Sequence, residues 1–267
     1  MQQVARQTRA QTLPGSKSHS IVLDRIGIQQ TQQAALLEMD VTRARRRIRL
    51  ANRGGQSAMS FIAWLIATVA RTLRDNPSAC PPVSRRRADP GSVTVSLLVD
   101  RMVGEHRVTV PLVIRDAETR SVADIDAMIT RVRGVAMDEA TFVTGRQGGP
   151  AATIFRHLPG FIRRPAVRAK IRSRRRLERV HSNVVMTISG MGGRVKGWFI
   201  PTGRHPVCIG IGAVTPKAVV LNGTIEQREV FHMTLLVDQG ALRGGPGSPW
   251  ISQLVRSVES ARELPTG

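Results

Sequence analysis

The stretch KAVVLNGTIEQREVFHMTLLVD, residues 217–238, constrains the fold more than any other part of the chain. Two Val-containing runs flank Asn222-Gly223, the dipeptide best suited to a two-residue turn whose central residues both take positive φ. The pattern predicts a hairpin with Asn222-Gly223 at its tip and a long second strand. It commits the C-terminal third to a sheet, to which NVVMTISGMGG (183–193) and HPVCIGIGAV (205–214) add further strands.

Upstream, strands and helices mix. AALLEMDV (34–41) reads as a strand running into a charged helix over about 41–52, which Gly54-Gly55 ends. FIAWLIATVA (61–70) is too short to span a bilayer and reads as a buried helix, capped by Ser60 and stopped at Asn76-Pro77. SVTVSLLVD (92–100) and HRVTVPLVIRDA (106–117) read as a hairpin turning near Gly104. Val122, Ile125, Ile129 and Val132 fall at helical spacing in a segment expected over 121–140, with Ser121 as its cap. A last helix is expected from Ser248 as cap and Pro249 at its first position, with Trp250, Leu254 and Val258 on one face. No internal repeat is visible. The irregular mixture predicts an α/β fold, a two-layer sandwich with a mixed β-sheet. Residues 1–19 read as a tail or arm and 20–262 as one domain, interrupted at about 144–180 by a loop-prone and then basic insertion.

The charge is strongly one-sided. The chain of 267 residues carries 40 Lys+Arg against 19 Asp+Glu, a net of +21, and nearly all of the excess is Arg. The densest run is FIRRPAVRAKIRSRRRLERV (161–180), readable as a solvated helix face or as an arm for acidic ligands. Such a surface attracts phosphates, nucleic acid or acidic proteins in a salt-dependent way. With six Phe, three Trp and no Tyr there is little to stack single-stranded bases, so nucleic-acid binding rests on charge alone. Cys80 and Cys208 lie far apart without metal-type spacing, so no metal is expected. Reduced cysteines and the absence of a signal-peptide pattern point to a cytoplasmic protein with no membrane partner.

Several of these stretches carry a family resemblance. LLEMDVTRAR, SFIAWLIATVARTLRDNPSA, VTVPLVIRDAETRSVADI and the long run from MTISGMGG to MTLLVD occur in an order that resembles the catalytic domain of 2-oxoacid dehydrogenase acyltransferases, the E2 components. The resemblance covers roughly residues 20–262 and implies a chloramphenicol-acetyltransferase-like fold. No lipoyl or subunit-binding segment is recognised ahead of the domain, so a stand-alone member is expected. The resemblance further implies acyl transfer between coenzyme A and a thiol or other nucleophile, in homotrimers that can assemble into cages. In that family a His is the general base, a Ser steadies the tetrahedral oxyanion, and an Asp or Asn four residues after the His organises the site.

Carried over position by position, Ser189 of TIS matches the oxyanion Ser, Asp238 the residue before the His, and Gly244 the final Gly of the signature. Gln239 stands where the His belongs and Arg243 where the Asp belongs. An amide cannot take a proton at neutral pH, and losing a positioned base costs about 10²–10⁴ in rate. Arg243 also puts a permanent cation where the family has a carboxylate or amide.

No other histidine is placed by its surroundings to substitute. His232 lies seven residues before Gln239, about 23 Å along an extended strand. His205 is in a loop that the sequence does not position, and His19, His106, His157 and His181 have no motif around them.

Three functions follow: an acyltransferase with weak or altered chemistry on acyl-CoA, a non-catalytic trimeric or cage-forming scaffold, and a binder of nucleic acid or another polyanion. On the first two, Ser189 and Gln239 are expected to approach each other at a subunit interface, lining a channel.

Overall fold

The computed structural model describes residues 32–53, 59–79, 92–103, 106–134, 183–188, 196–201, 205–238 and 247–264, with isolated positions between 159 and 173. In chain order the elements are β1 (Gln32–Asp40), α1 (Thr42–Arg53), α2 (Phe61–Arg74), a 3₁₀ turn (Pro77–Ala79), β2 (Val95–Val103), β3 (His106–Ile114), α3 (Val122–Gly134), β4 (Val184–Ile188), β5 (Val207–Leu221), β6 (Thr224–Asp238) and α4 (Gly247–Glu259).

The six strands form one sheet in the order β1-β6-β5-β4-β2-β3. Strand β4 runs parallel to both neighbours, β2 and β5, and the remaining pairs are antiparallel. The sheet is therefore mixed, as the sequence pattern predicts. The β5–β6 hairpin turns through Asn222 (φ 50°) and Gly223 (φ 81°), the paired positive φ values that a two-residue turn of this hand demands. Because β1 ends opposite Val230, residues 216–221 and 224–229 extend past it as a two-stranded arm.

Register decides which face is the core. Val237, Leu235 and Met233 of β6 pair with Val207, Ile209 and Ile211 of β5, so these six side chains share one face. Val184 and Met186 of β4, Val95 and Leu97 of β2, Ile114 of β3 and Met39 of β1 join them in a single buried cluster. The same cluster takes in Ala44 and Ile48 of α1, Ile125 and Ile129 of α3, and Trp250, Leu254 and Val258 of α4. Helices thus cover one face, giving a two-layer sandwich in which each fully buried large side chain contributes about 1.5–3 kcal/mol.

Helix α2 is the inner member of that layer, and its residues from Ala63 to Ala70 are all buried. The Ser60 hydroxyl accepts from the Ala63 amide at 3.2 Å, the cap its position predicts. Its indole-bearing Trp64 donates to the Arg262 carbonyl at 2.8 Å, and Trp250 donates to Thr72 Oγ1 at 3.2 Å, so both buried indoles are satisfied.

The structure shifts some boundaries. Strand β3 stops at Ile114 rather than near 117, because Asp116 turns at φ 51° and the Ala117 amide donates to the Val93 carbonyl at 3.0 Å. The Glu118 carboxylate then accepts from the Val93 amide at 3.0 Å, closing the corner. Helix α4 begins at Gly247, so Ser248 and Pro249 lie inside its first turn instead of marking its edge. Gly54, Gly55, Gly104, Cys80 and the arginines of the 161–180 run lie outside the described residues. Among the described residues, no helix is long and apolar enough to cross a membrane.

Candidate active site

Ser189, Gln239 and Arg243 all lie outside the described residues, but two of them directly follow strands that are described. Ile188 ends β4 immediately before Ser189, and Asp238 ends β6 immediately before Gln239. Ile188 is level with Ile211, which is level with Met233. Asp238 lies five residues beyond Met233, about 17 Å along the strand and two strand spacings to the side. The two strands therefore leave the sheet in opposite directions, β6 at the sheet's end and β4 at mid-height.

The sheet face opposite the helices is partly covered by the segment 197–201. Gly210 and Gly212 of β5 let it approach: a Cβ on Gly210 would strike the Phe199 carbonyl, and one on Gly212 would lie 2.6 Å from the Gly197 oxygen. Under this strap sits His232, buried, with the Trp198 ring edge-on at 4.8 Å between centroids. Trp198 is itself tied down by its indole, which donates to the Leu37 carbonyl at 3.2 Å.

His232 belongs to a polar cluster that spans three strands. Its Nδ1 lies 3.1 Å from the Ala213 carbonyl, which can only accept, so Nδ1 carries the proton. Nε2 faces Glu38 Oε1 at 3.5 Å, a contact that attracts when the ring carries both protons. Lys217 Nζ donates to the other Glu38 oxygen at 2.6 Å. That hydrogen bond holds the Glu38 carboxyl below its ordinary value, against the opposing effect of burial and with help from the charges of Lys217 and His232. Glu38 and His232 are direct cross-strand partners. Sequence reasoning placed His232 on its strand but missed Glu38, because the β1–β6 register that pairs them is not encoded in either segment alone.

At the opposite end of the sheet, where β6 ends, lies His205. It is buried, and its carbonyl accepts from Gln32 Nε2 at 3.3 Å and from the Cys208 thiol at 3.7 Å. Gln32 is the backbone partner of Asp238. The structure thus fixes the loop residue that the sequence left unplaced, beside the strand end that leads into Gln239. Cys208 is fully buried. His106 starts β3, and His19, His157 and His181 lie outside the described residues. No cluster of three or more His, Cys, Asp or Glu suited to a metal occurs among the described residues.

The architecture has close counterparts among solved structures. A probable dihydrolipoamide acetyltransferase from Listeria monocytogenes superposes with a TM-score of 0.60 at 14% identity, covering 99% of each chain. The cubic core of a pyruvate dehydrogenase multienzyme complex gives 0.61 at 11% identity, again with 99% of both chains covered. The dihydrolipoamide acetyltransferase of Azotobacter vinelandii, studied for the roles of a serine, a histidine and an asparagine in its catalytic mechanism, gives 0.60 at 12% identity, covering 93% of this chain and 89% of that one. The chain has the fold of an E2 catalytic domain. No protein-family model matches the chain, and no curated protein sequence does.

Proposed function

We propose that this E2-like domain transfers acyl groups to or from coenzyme A, at a site completed between copies of the chain and with chemistry weakened by the loss of the family's base. The observation that carries the reading is the placement of Ile188 and Asp238. In the E2 fold the residues at positions 189 and 239 act on one substrate, yet the strands that lead to them end about 20 Å apart. In this reading Ser189 from one copy meets the Gln239 end of another in a homotrimer, open to further assembly into a cage.

In this reading Ser189 donates to the oxyanion, Gln239 orients the thiol by hydrogen bonds, and Arg243 offers a cation to a phosphate or to the developing charge. The Arg excess suits the phosphates of coenzyme A.

The replacement of a His by Gln239 and of an Asp by Arg243 favours a second reading, a non-catalytic scaffold that keeps the assembly without the turnover. Calorimetry with coenzyme A and acetyl-CoA on nuclease-treated protein, at low and moderate salt, separates them. Saturable micromolar binding that survives the salt increase supports the acyl-CoA site. Binding that vanishes with salt, or none, removes it and leaves assembly or polyanion binding.

A further inference from the structure

We propose that the outward face of α1 is a docking surface for the phosphate backbone of duplex nucleic acid. The inference goes beyond the acyl-transfer reading and does not depend on it. Helix α1, TRARRRIRLANR, holds six arginines and no carboxylate. Ala44 and Ile48 are its buried side. At 3.6 residues per turn, Arg46 and Arg53 lie diametrically opposite that side, with Arg43 and Leu50 next to them. All four of these residues are exposed.

The remaining arginines of the helix serve the fold. Arg45 and Arg49 share the Glu229 carboxylate at 3.1 and 3.2 Å. Arg47 donates to the Ala261 and Leu264 carbonyls at 3.1 and 3.5 Å. Arg43, Arg46 and Arg53 form no ion pair among the described residues. The carboxylates that border the helix are already engaged. Glu229 is held by Arg45 and Arg49, Asp40 is held by Arg228 at 2.8 Å, and Glu259 accepts from the Asp40 amide at 3.4 Å.

This placement runs against the helix's own electrostatics. Helices α2 and α3 confine their arginines to the last turn, Arg71 and Arg74 in one and Arg131 and Arg133 in the other, where a cation complements the macrodipole. Helix α1 puts Arg43, Arg45 and Arg46 in its first half, where a cation is unfavourable. Arg43 and Arg46, Arg46 and Arg49, and Arg49 and Arg53 also set like charges three or four residues apart, which repel. A face kept only for solubility would alternate in sign. A polyanion laid on the stripe relieves both costs.

The residue types select the partner. Arginine forks take phosphate oxygens two at a time. Arg43 to Arg53 spans about 15 Å of helix, roughly four base-pair steps of one strand. The helix carries no aromatic ring on which single-stranded bases could stack. Leu50, 48% exposed, is the one apolar side chain on this face of α1, too little to enter a lipid interface.

The test titrates nuclease-treated full-length protein into labelled duplex DNA, and duplex RNA of the same sequence, between about 50 and 200 mM salt. Wild type should bind at least one duplex, with affinity falling steeply as salt rises. The R43Q,R46Q,R53Q variant should bind about tenfold more weakly or less, and its log–log salt slope should flatten by about 2–3. R74Q,R131Q,R133Q removes the same charge and should change both far less. Wild type that binds neither duplex, an unaltered first variant, or equal losses in the two variants overturns the proposal. So does a loss in the first variant confined to polyglutamate or anionic vesicles. Should the first variant not fold, phenylglyoxal on the unaltered protein decides. Duplex that protects Arg43, Arg46 and Arg53 from modification supports the surface, and modification unchanged by duplex contradicts it.

Discussion

Ile188 and Asp238 close strands two places apart in one sheet that run in opposite directions: Ile188 is level with Met233, five residues short of Asp238. Strand direction alone produces this, since β4 runs parallel to β5 and β6 antiparallel to it. On the proposed reading, Ser189 and Gln239 act together from different copies. Multi-angle light scattering should then report an oligomer, with three chains the mass expected of a homotrimer, and a monomer at micromolar concentration would contradict that reading.

Transfer, where it occurs, should depend on Ser189. Removing one oxyanion donor costs about 10²–10³ in kcat. S189A should lose that much without a comparable change in coenzyme A binding by calorimetry.

The strap over the sheet should tolerate no side chain beneath it. G212A places a methyl group against the Gly197 oxygen at 2.6 Å and the His232 oxygen at 2.7 Å. Overpacking of this kind costs about 1–3 kcal/mol. G223A has open space around its Cβ but sits at φ 81°, so it pays only backbone strain of about 1 kcal/mol. Urea midpoints should rank wild type above G223A and G223A above G212A.

His232 should act as a packing residue of the strap. H232A removes a buried ring from beneath Trp198 and its contact with Glu38, at a cost of about 2–4 kcal/mol. Trp198 emission should shift to longer wavelength, whereas on the proposed reading, which gives His232 no part in the site, coenzyme A affinity should hold.

Acid should loosen the β1–α1 corner. Partial burial pushes the Asp40 carboxyl up, but hydrogen bonds from Thr42 at 2.9 Å and Arg228 at 2.8 Å, with the charge of Arg228, outweigh it and hold the group below its ordinary 3.8. A carboxyl depressed in the folded state gives stability that is present above the unfolded value and is lost as pH falls through the folded one. D40A should thus cost about 1 kcal/mol at neutral pH, and the difference from wild type should shrink below pH 3.8 in thermal melts.

Much of this was legible in the sequence. Asn222-Gly223 marks its turn because two consecutive positive φ values are costly for most other residues, and Ser60 marks its helix because a hydroxyl there meets an open amide. Trp250, Leu254 and Val258 announce a buried face by spacing alone. What stayed hidden is whatever depends on register between distant strands. Glu38 meets His232, Gln32 meets Asp238, and both follow from β1 pairing with β6 across most of the chain. The level of Ile188 relative to Asp238 likewise needs three strands to be aligned at once. His205 is the sharpest case, since only the Gln32 side chain and the β5–β6 register fix its place.

The central claim, one site shared by the Ser189 end of one copy and the Gln239 end of another, is tested most directly by cross-linking. S189C and Q239C proteins would be prepared separately, dissociated, mixed, reassembled and treated with a short bismaleimide. A covalent pair joining one S189C chain to one Q239C chain is expected, while the S189C,Q239C double variant, diluted to monomer, should form no bridge within its own chain. A bridge inside single chains, or none in the mixed oligomer, would contradict the account.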